Sequence, residues 1–132
     1  IQGQITSANC SIAQRAALTA LTSPKESSKA MANAYYQRRQ LVYDLLKKIP
    51  GVEVNMPQGA FYFFPDVSSY FGKKGIRDAA DLCIYLLEES HVSLVSGEGF
   101  GEPNCLRLSY AASEEHLIIA LARITKALEK LS

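Results

Sequence analysis

An α+β fold is what this sequence predicts: a small mixed sheet with helices packed on it, preceded by a long helix. Three observations carry that expectation. Apolar residues recur at helical spacing in several segments, the last being Leu117, Leu121, Ile124, Leu128 and Leu131. Period-two alternation appears between the helical segments, most cleanly in Cys105-Leu106-Arg107-Leu108-Ser109-Tyr110. Hydrophobic residues make up 48% of the 132 positions, enough for a core of its own.

In chain order, the first helix runs from Ser11 to Leu21, with Ile12, Ala13, Ala16, Ala17, Ala20 and Leu21 at helical spacing and Asn9 or Ser7 placed to cap it. Ser23-Pro24-Lys25-Glu26 reads as a capping box with proline at the first helical position, opening a helix that continues to Lys48 and stops at Pro50-Gly51. Its second half carries Tyr35, Arg38, Val42, Leu45 and Ile49, whereas Lys25 to Ala34 is mostly polar or small. A helix apolar at one end and plain at the other suits a connection between domains. The expected division is therefore 1–23, an N-terminal segment and helix belonging with a domain elsewhere; 24–49, an interdomain helix; and 50–132, the α+β domain.

Within that domain Val52-Glu53-Val54 reads as a short strand and Gly59-Ala60-Phe61-Tyr62-Phe63-Phe64-Pro65 as an aromatic one. Alternation sets Phe61 and Phe63 on one face and Tyr62 and Phe64 on the other, so both faces are expected to be covered. Asp78 caps a helix bearing Ala79, Leu82, Cys83, Leu86 and Leu87. Val92-Ser93-Leu94-Val95 is the next strand, and Leu106, Leu108 and Tyr110 face one way from the strand after it. Ser113 caps the last helix. The helices from Asp78 and Ser113 are expected to cover one face of a sheet built around Val54, Phe63, Leu94 and Leu108, with the long helix running along it.

Composition excludes several classes. Lys and Arg number 14 against 13 Asp and Glu, a net charge of +1, which disfavours an electrostatic nucleic-acid or membrane-surface binder. No apolar run approaches the roughly 20 residues of a membrane-spanning helix, and Ile1-Gln2-Gly3-Gln4 shows no signal-peptide pattern. Cys10, Cys83 and Cys105 form no CxxC and lie at ligand spacing from neither histidine, so no metal site is expected and a reducing cytoplasm fits. The chain opens in mid-pattern without Met, as a piece of something larger would.

Few residues carry chemistry on their own pattern. Gly97, Gly99 and Gly101 give GxGxG, but Pro103 and a strand follow where a phosphate-binding helix is required, so a tight connection between strands is expected. His91, His116 and the pairs Glu88-Glu89 and Glu114-Glu115 read as surface structure. Arg107 differs. A charge in mid-strand between Leu106 and Leu108 needs an anion, and its planar fork suits a carboxylate. An internal salt bridge and a ligand carboxylate both satisfy that pattern.

Three stretches in this order resemble the C-terminal part of class I pyridoxal-phosphate aminotransferases of the aspartate aminotransferase family. They are Gln4-Ile5-Thr6-Ser7 leading into Ser11-Ile12-Ala13-Gln14; Gly59-Ala60-Phe61-Tyr62-Phe63-Phe64-Pro65 after Pro57; and Val92 through Gly97-Glu98-Gly99-Phe100-Gly101 to Leu106-Arg107-Leu108-Ser109-Tyr110-Ala111. Glu98 departs from the family's usual Ser or Thr.

The resemblance implies a small domain of that fold, from a cytoplasmic homodimer acting on amino-acid and 2-oxo-acid substrates with pyridoxal 5'-phosphate. It implies that Arg107 binds the substrate α-carboxylate, that Thr6 and Ser7 approach the neighbouring subunit's cofactor phosphate, and that Phe61 or Tyr62 borders the substrate pocket, core packing being their competing role. The Schiff-base lysine of the family belongs to the large domain, so no catalytic residue is expected here, and this chain alone is expected to be inactive. Aspartate with 2-oxoglutarate is the implied substrate pair. Aromatic or alanine transamination, a lyase, or a non-catalytic α+β interaction module are the alternatives.

Overall fold

The computed structural model describes Ile1 and residues 9–131, in two units, Ile1–Ala32 and Asn33–Ser132. The first unit holds helix α1, Ser11–Thr22, and the start of helix α2, Glu26–Leu46. No residue of α1 is buried: Ile12 is 80% exposed and Leu21 79%. Its threonines are satisfied locally, Thr19 Oγ1 donating to the Arg15 carbonyl at 3.0 Å and Thr22 Oγ1 to that of Leu18 at 2.8 Å.

The second unit contains the rest of α2, strand β1 (Tyr62–Phe63), helix α3 (Ala79–Ser90), strand β2 (Val95–Ser96), strand β3 (Leu106–Ser109) and helix α4 (Glu114–Glu129). The sheet order is β1-β3-β2, with β3 central. Tyr62 is opposite Ser109 and Phe63 opposite Leu108; Val95 is opposite Arg107 and Ser96 opposite Leu106. Both pairings are antiparallel, where the sequence led to a mixed sheet. A loop as short as residues 97–105 returns the chain beside the strand it has just left, and that connection is antiparallel.

Side chains from every layer meet in one core. Val42 and Leu46 of α2, with Ile49 just beyond it, join Phe63, Leu106, Leu108 and Tyr110 of the sheet region. Leu82 and Leu86 of α3 and Leu117, Leu121, Ile124 and Leu128 of α4 complete it. Helices α3 and α4 pack on one another, and the Tyr85 hydroxyl on α3 donates to the Ala127 carbonyl on α4 at 2.9 Å. Each fully buried leucine contributes about 1.5–3 kcal/mol. The predicted stripe of the last helix is thus buried along its length, as is the β3 face of Leu106, Leu108 and Tyr110.

Helix starts were legible where an oxygen stands at the cap. Asp78 accepts from the Asp81 N–H at 2.9 Å, and Ser113 from the His116 N–H at 3.3 Å. Two other starts differ from expectation. Cys10, not Asn9 or Ser7, occupies the N-cap of α1, without a side-chain hydrogen bond. Ser23 closes α1 instead of opening α2, its N–H donating to the Thr19 carbonyl, so the capping box at Ser23 does not form and α2 begins at Glu26. At its far end α2 stops at Leu46, ahead of Lys48, and the chain turns through Lys47 to Gly51.

The strands are shorter than their alternation suggested. Val52-Glu53-Val54 forms a single bridge, Glu53 to Asp66, rather than a strand. Pairing beyond α3 begins at Val95, so Leu94 packs against the core from outside the ladder. Phe61 is 42% exposed, so the aromatic run is not covered on both faces. Leu87 is likewise exposed and Ser90 takes the buried place on α3.

Candidate functional site

Arg107 lies in the middle of β3, and neighbouring strands hold its backbone on both sides. Leu106 and Leu108 turn into the core, which sends Arg107 to the opposite face, where it is half-buried. Two aromatic rings meet it there. The guanidinium carbon is 4.8 Å from the centre of the Tyr62 ring and 4.8 Å from that of Phe100. Contacts of this kind contribute about 0.5–2 kcal/mol each and leave the in-plane N–H donors available.

The two rings come from different places. Tyr62 is on β1, in register with Ser109. Phe100 belongs to a 3-10 turn, Glu98–Phe100, inside the β2–β3 loop, and the Phe64 ring meets it edge-on, centroids 6.1 Å apart at 88°. That loop is closed by the Gly97 N–H donating to the Cys105 carbonyl at 2.8 Å and the Glu102 N–H donating to the Gly97 carbonyl at 3.1 Å. A Cβ on Gly97 would stand 2.3 Å from the Glu102 carbonyl oxygen and 2.6 Å from that of Cys105. Gly97 is therefore needed for close approach, and Gly101, at φ 84°, for the left-handed turn that leaves the 3-10 segment. The glycine loop connects two strands, as its spacing predicted.

Among the described residues the ion pairs are Arg77–Asp81 and Lys130–Glu89, each at 2.6 Å; Glu89 stays exposed and pairs with Lys130 just past the end of α4. Arg107 pairs with no carboxylate there. Hydrogen bonding to Arg77 pulls Asp81 down to about 2, and Lys130 lowers Glu89. Burial pushes the thiols of Cys83 and Cys105 up, further from a reactive thiolate, Asp66 and Glu102 adding to the effect at Cys105. His91 ends α3 in a left-handed conformation, and no group of three His, Cys, Asp or Glu among the described residues is arranged to hold a metal. A groove of about 550 Å³, lined by Lys47, Glu53, Asn55, Phe64, Asp66 and Cys105, does not include Arg107.

Of the two predicted pocket residues, Tyr62 meets Arg107 directly, and Phe61 reaches it only through Tyr62. Their ring centroids are 4.5 Å apart, Tyr62 is half-buried, and Phe61 is too exposed to be a core residue; Phe63 takes that role. Thr6 and Ser7 lie outside the described residues. Phe100 was missed as a contact of Arg107. Its only signal was an aromatic in the middle of the Gly97-Glu98-Gly99-Phe100-Gly101-Glu102 run.

Residues 1–124 match the family described as aminotransferase class I and II. A probable aspartate/prephenate aminotransferase of Aquifex aeolicus is 47% identical over 90% of this chain, which spans 30% of that protein. The aspartate aminotransferase structure from Rhizobium meliloti superposes with a TM-score of 0.92 at 40% identity, covering 99% of this chain and 34% of its own. An alanine aminotransferase from Pyrococcus furiosus gives 0.82 at 32% identity, covering 89% of this chain and 30% of its own. The chain spans about a third of the length of these relatives. It belongs to the class I and II aminotransferase family.

Proposed function

We propose that this chain is the C-terminal part of an amino-acid aminotransferase and supplies Arg107 to bind the substrate's α-carboxylate. The observation that carries the reading is the state of that side chain. Its guanidinium is flanked by the Tyr62 and Phe100 rings and meets no carboxylate among the described residues. Ring faces fix the plane of the fork but accept none of its N–H donors. A carboxylate arriving in that plane receives two parallel hydrogen bonds and is oriented as well as held. Phe61 and Tyr62 are assigned to the border of the same pocket.

Aspartate and 2-oxoglutarate are the proposed substrate pair; aspartate is in line with the names of the similar proteins from Aquifex aeolicus and Rhizobium meliloti. The likeness to an alanine aminotransferase favours a second reading, in which the same clamp serves another amino acid. The whole protein is proposed to act as a cytoplasmic homodimer without nucleic-acid or membrane partners. Among the described residues no helix is long and apolar enough to cross a membrane. Residues 1–23 are assigned to a domain outside this chain, 24–49 to the connection, and 50–132 to the small domain.

Pyridoxal 5'-phosphate, which the family resemblance implies, would supply the electron sink for the chemistry. The described residues do not build its site. All eight lysines are exposed, and Lys130, beside Glu89, holds its proton more firmly than usual. A Schiff-base lysine needs the opposite environment. No step through that group is therefore assigned to this chain, and the chain alone is proposed to be inactive.

The test is amino transfer by the full-length protein from a panel of amino acids to 2-oxoglutarate. Fastest turnover with aspartate supports the first reading, and preference for alanine or an aromatic amino acid supports the second. No transfer from any amino acid would leave the interaction module.

A further inference from the structure

Tyr110 directly follows the strand that carries Arg107 and is almost fully buried, 2% exposed. It binds the neighbouring segment twice. Its N–H donates to the Phe61 carbonyl at 2.9 Å, and its hydroxyl donates to the Ala60 carbonyl at 2.8 Å. Ala60 has φ 58°, a left-handed conformation that costs a residue with a Cβ about 1 kcal/mol or more. Two consecutive carbonyls are thus held by one residue at the place where the backbone is strained.

The held segment leads directly to Arg107. The Phe61 ring meets the Tyr62 ring at a tilt of 50°, centroids 4.5 Å apart, and the Tyr62 ring lies 4.8 Å from the guanidinium carbon. Behind the segment, Tyr35 of α2 touches both Phe61 and Tyr110, with ring centroids 6.3 and 6.2 Å apart, and Arg38 stands over Tyr35 at 5.5 Å. Phe61 is 42% exposed, so its ring is held by these edge contacts and by the backbone that carries it.

We propose that Tyr110 is a positioning residue for the Arg107 carboxylate fork, acting through the Ala60–Phe61 turn. Its hydroxyl keeps Ala60 left-handed, the turn sets Phe61 against Tyr62, and Tyr62 fixes the plane of the guanidinium. The inference rests on the carboxylate role of Arg107.

The experiment compares Tyr110→Phe, Tyr110→Phe with Ala60→Gly, and Arg107→Lys in the full-length protein, measuring KM, kcat and Tm. Tyr110→Phe keeps the ring and the backbone bond and removes one hydroxyl. It is expected to raise KM for amino-acid and oxo-acid substrates alike by about 2- to 12-fold, the effect of one lost hydrogen bond, with kcat held. Glycine adopts positive φ freely, so Ala60→Gly is expected to recover KM in the double variant. A lower Tm with unchanged KM in Tyr110→Phe, while Arg107→Lys raises KM, overturns the inference and leaves the carboxylate reading standing. Should Arg107→Lys leave KM unchanged as well, both are overturned. If Tyr110→Phe does not fold, the double variant carries the test: KM near wild type supports the positioning role, and KM raised with the strain already relieved contradicts it.

Discussion

The guanidinium carbon of Arg107 lies 4.8 Å from the centre of the Phe100 ring, although one residue is in a central strand and the other in the loop before it. The loop must fold back over the sheet face for the two to meet. Phe100 is 53% exposed, so it does not pay for its position by burial. Replacing it tests whether the ring orients the fork. Phe100→Ala in the full-length protein is expected to raise KM for carboxylate substrates by roughly 2- to 30-fold, the equivalent of about 0.5–2 kcal/mol of cation–π contact, with Tm nearly unchanged. An unchanged KM would show that Tyr62 alone holds the guanidinium.

Gly97 sets the shape of the same loop. A methyl group there must push apart two carbonyls that the loop's own hydrogen bonds bring together. Gly97→Ala is expected to destabilise the chain by about 1–3 kcal/mol, read by urea denaturation. Gly99, with open space around its Cβ position, serves as the control and is expected to tolerate alanine far better.

The core makes a plainer forecast. Leu121 is buried at 3% exposure among residues of the sheet and helices, so Leu121→Ala is expected to cost about 2–5 kcal/mol. Ile118, three positions away on the same helix and 48% exposed, is expected to cost far less when truncated. Equal losses at the two positions would contradict the assignment of the buried face.

Asp81 supplies the pH dependence. Its carboxylate takes two bonds from the Arg77 side chain, at 2.6 and 2.9 Å, and its pKa falls from an ordinary 3.8 to about 2. A group whose pKa is depressed by folding stabilises the fold above its unfolded pKa and stops doing so as pH falls through the folded one. The Tm difference between the wild-type chain and Asp81→Asn is therefore expected to be steady above about pH 4 and to shrink to zero between 3.8 and about 2. A difference independent of pH across that window would mean that the carboxylate's charge is not what holds Arg77.

The parts of the fold legible in the sequence are those where one local rule decides. Asp78 and Ser113 each place an oxygen at a helix start, and Leu117, Leu121, Ile124 and Leu128 repeat at a period that only a helix buries. Ser23 fits the same rule, but two helices compete for it, and it closes α1, its N–H donating to the Thr19 carbonyl. Val52-Glu53-Val54 alternates, but a strand also needs a partner along its length, and only Glu53 finds one. At the site, alternation placed Arg107 opposite Leu106 and Leu108. Nothing in spacing could bring Phe100 across a loop, or show that Tyr110 holds Ala60 in a left-handed turn, because both depend on how β1 and β3 come together.

Arg107→Lys tests the central claim most directly, measured as kcat/KM and Tm on one preparation of the full-length protein. Lysine keeps the charge and loses the two-pronged geometry. Truncating one partner of a desolvated charged pair costs about 2–5 kcal/mol, so kcat/KM is expected to fall roughly 30- to several-thousand-fold while Tm stays close to wild type. A large fall in Tm with normal kcat/KM per folded molecule would contradict the account, making Arg107 a structural residue and not the substrate's clamp.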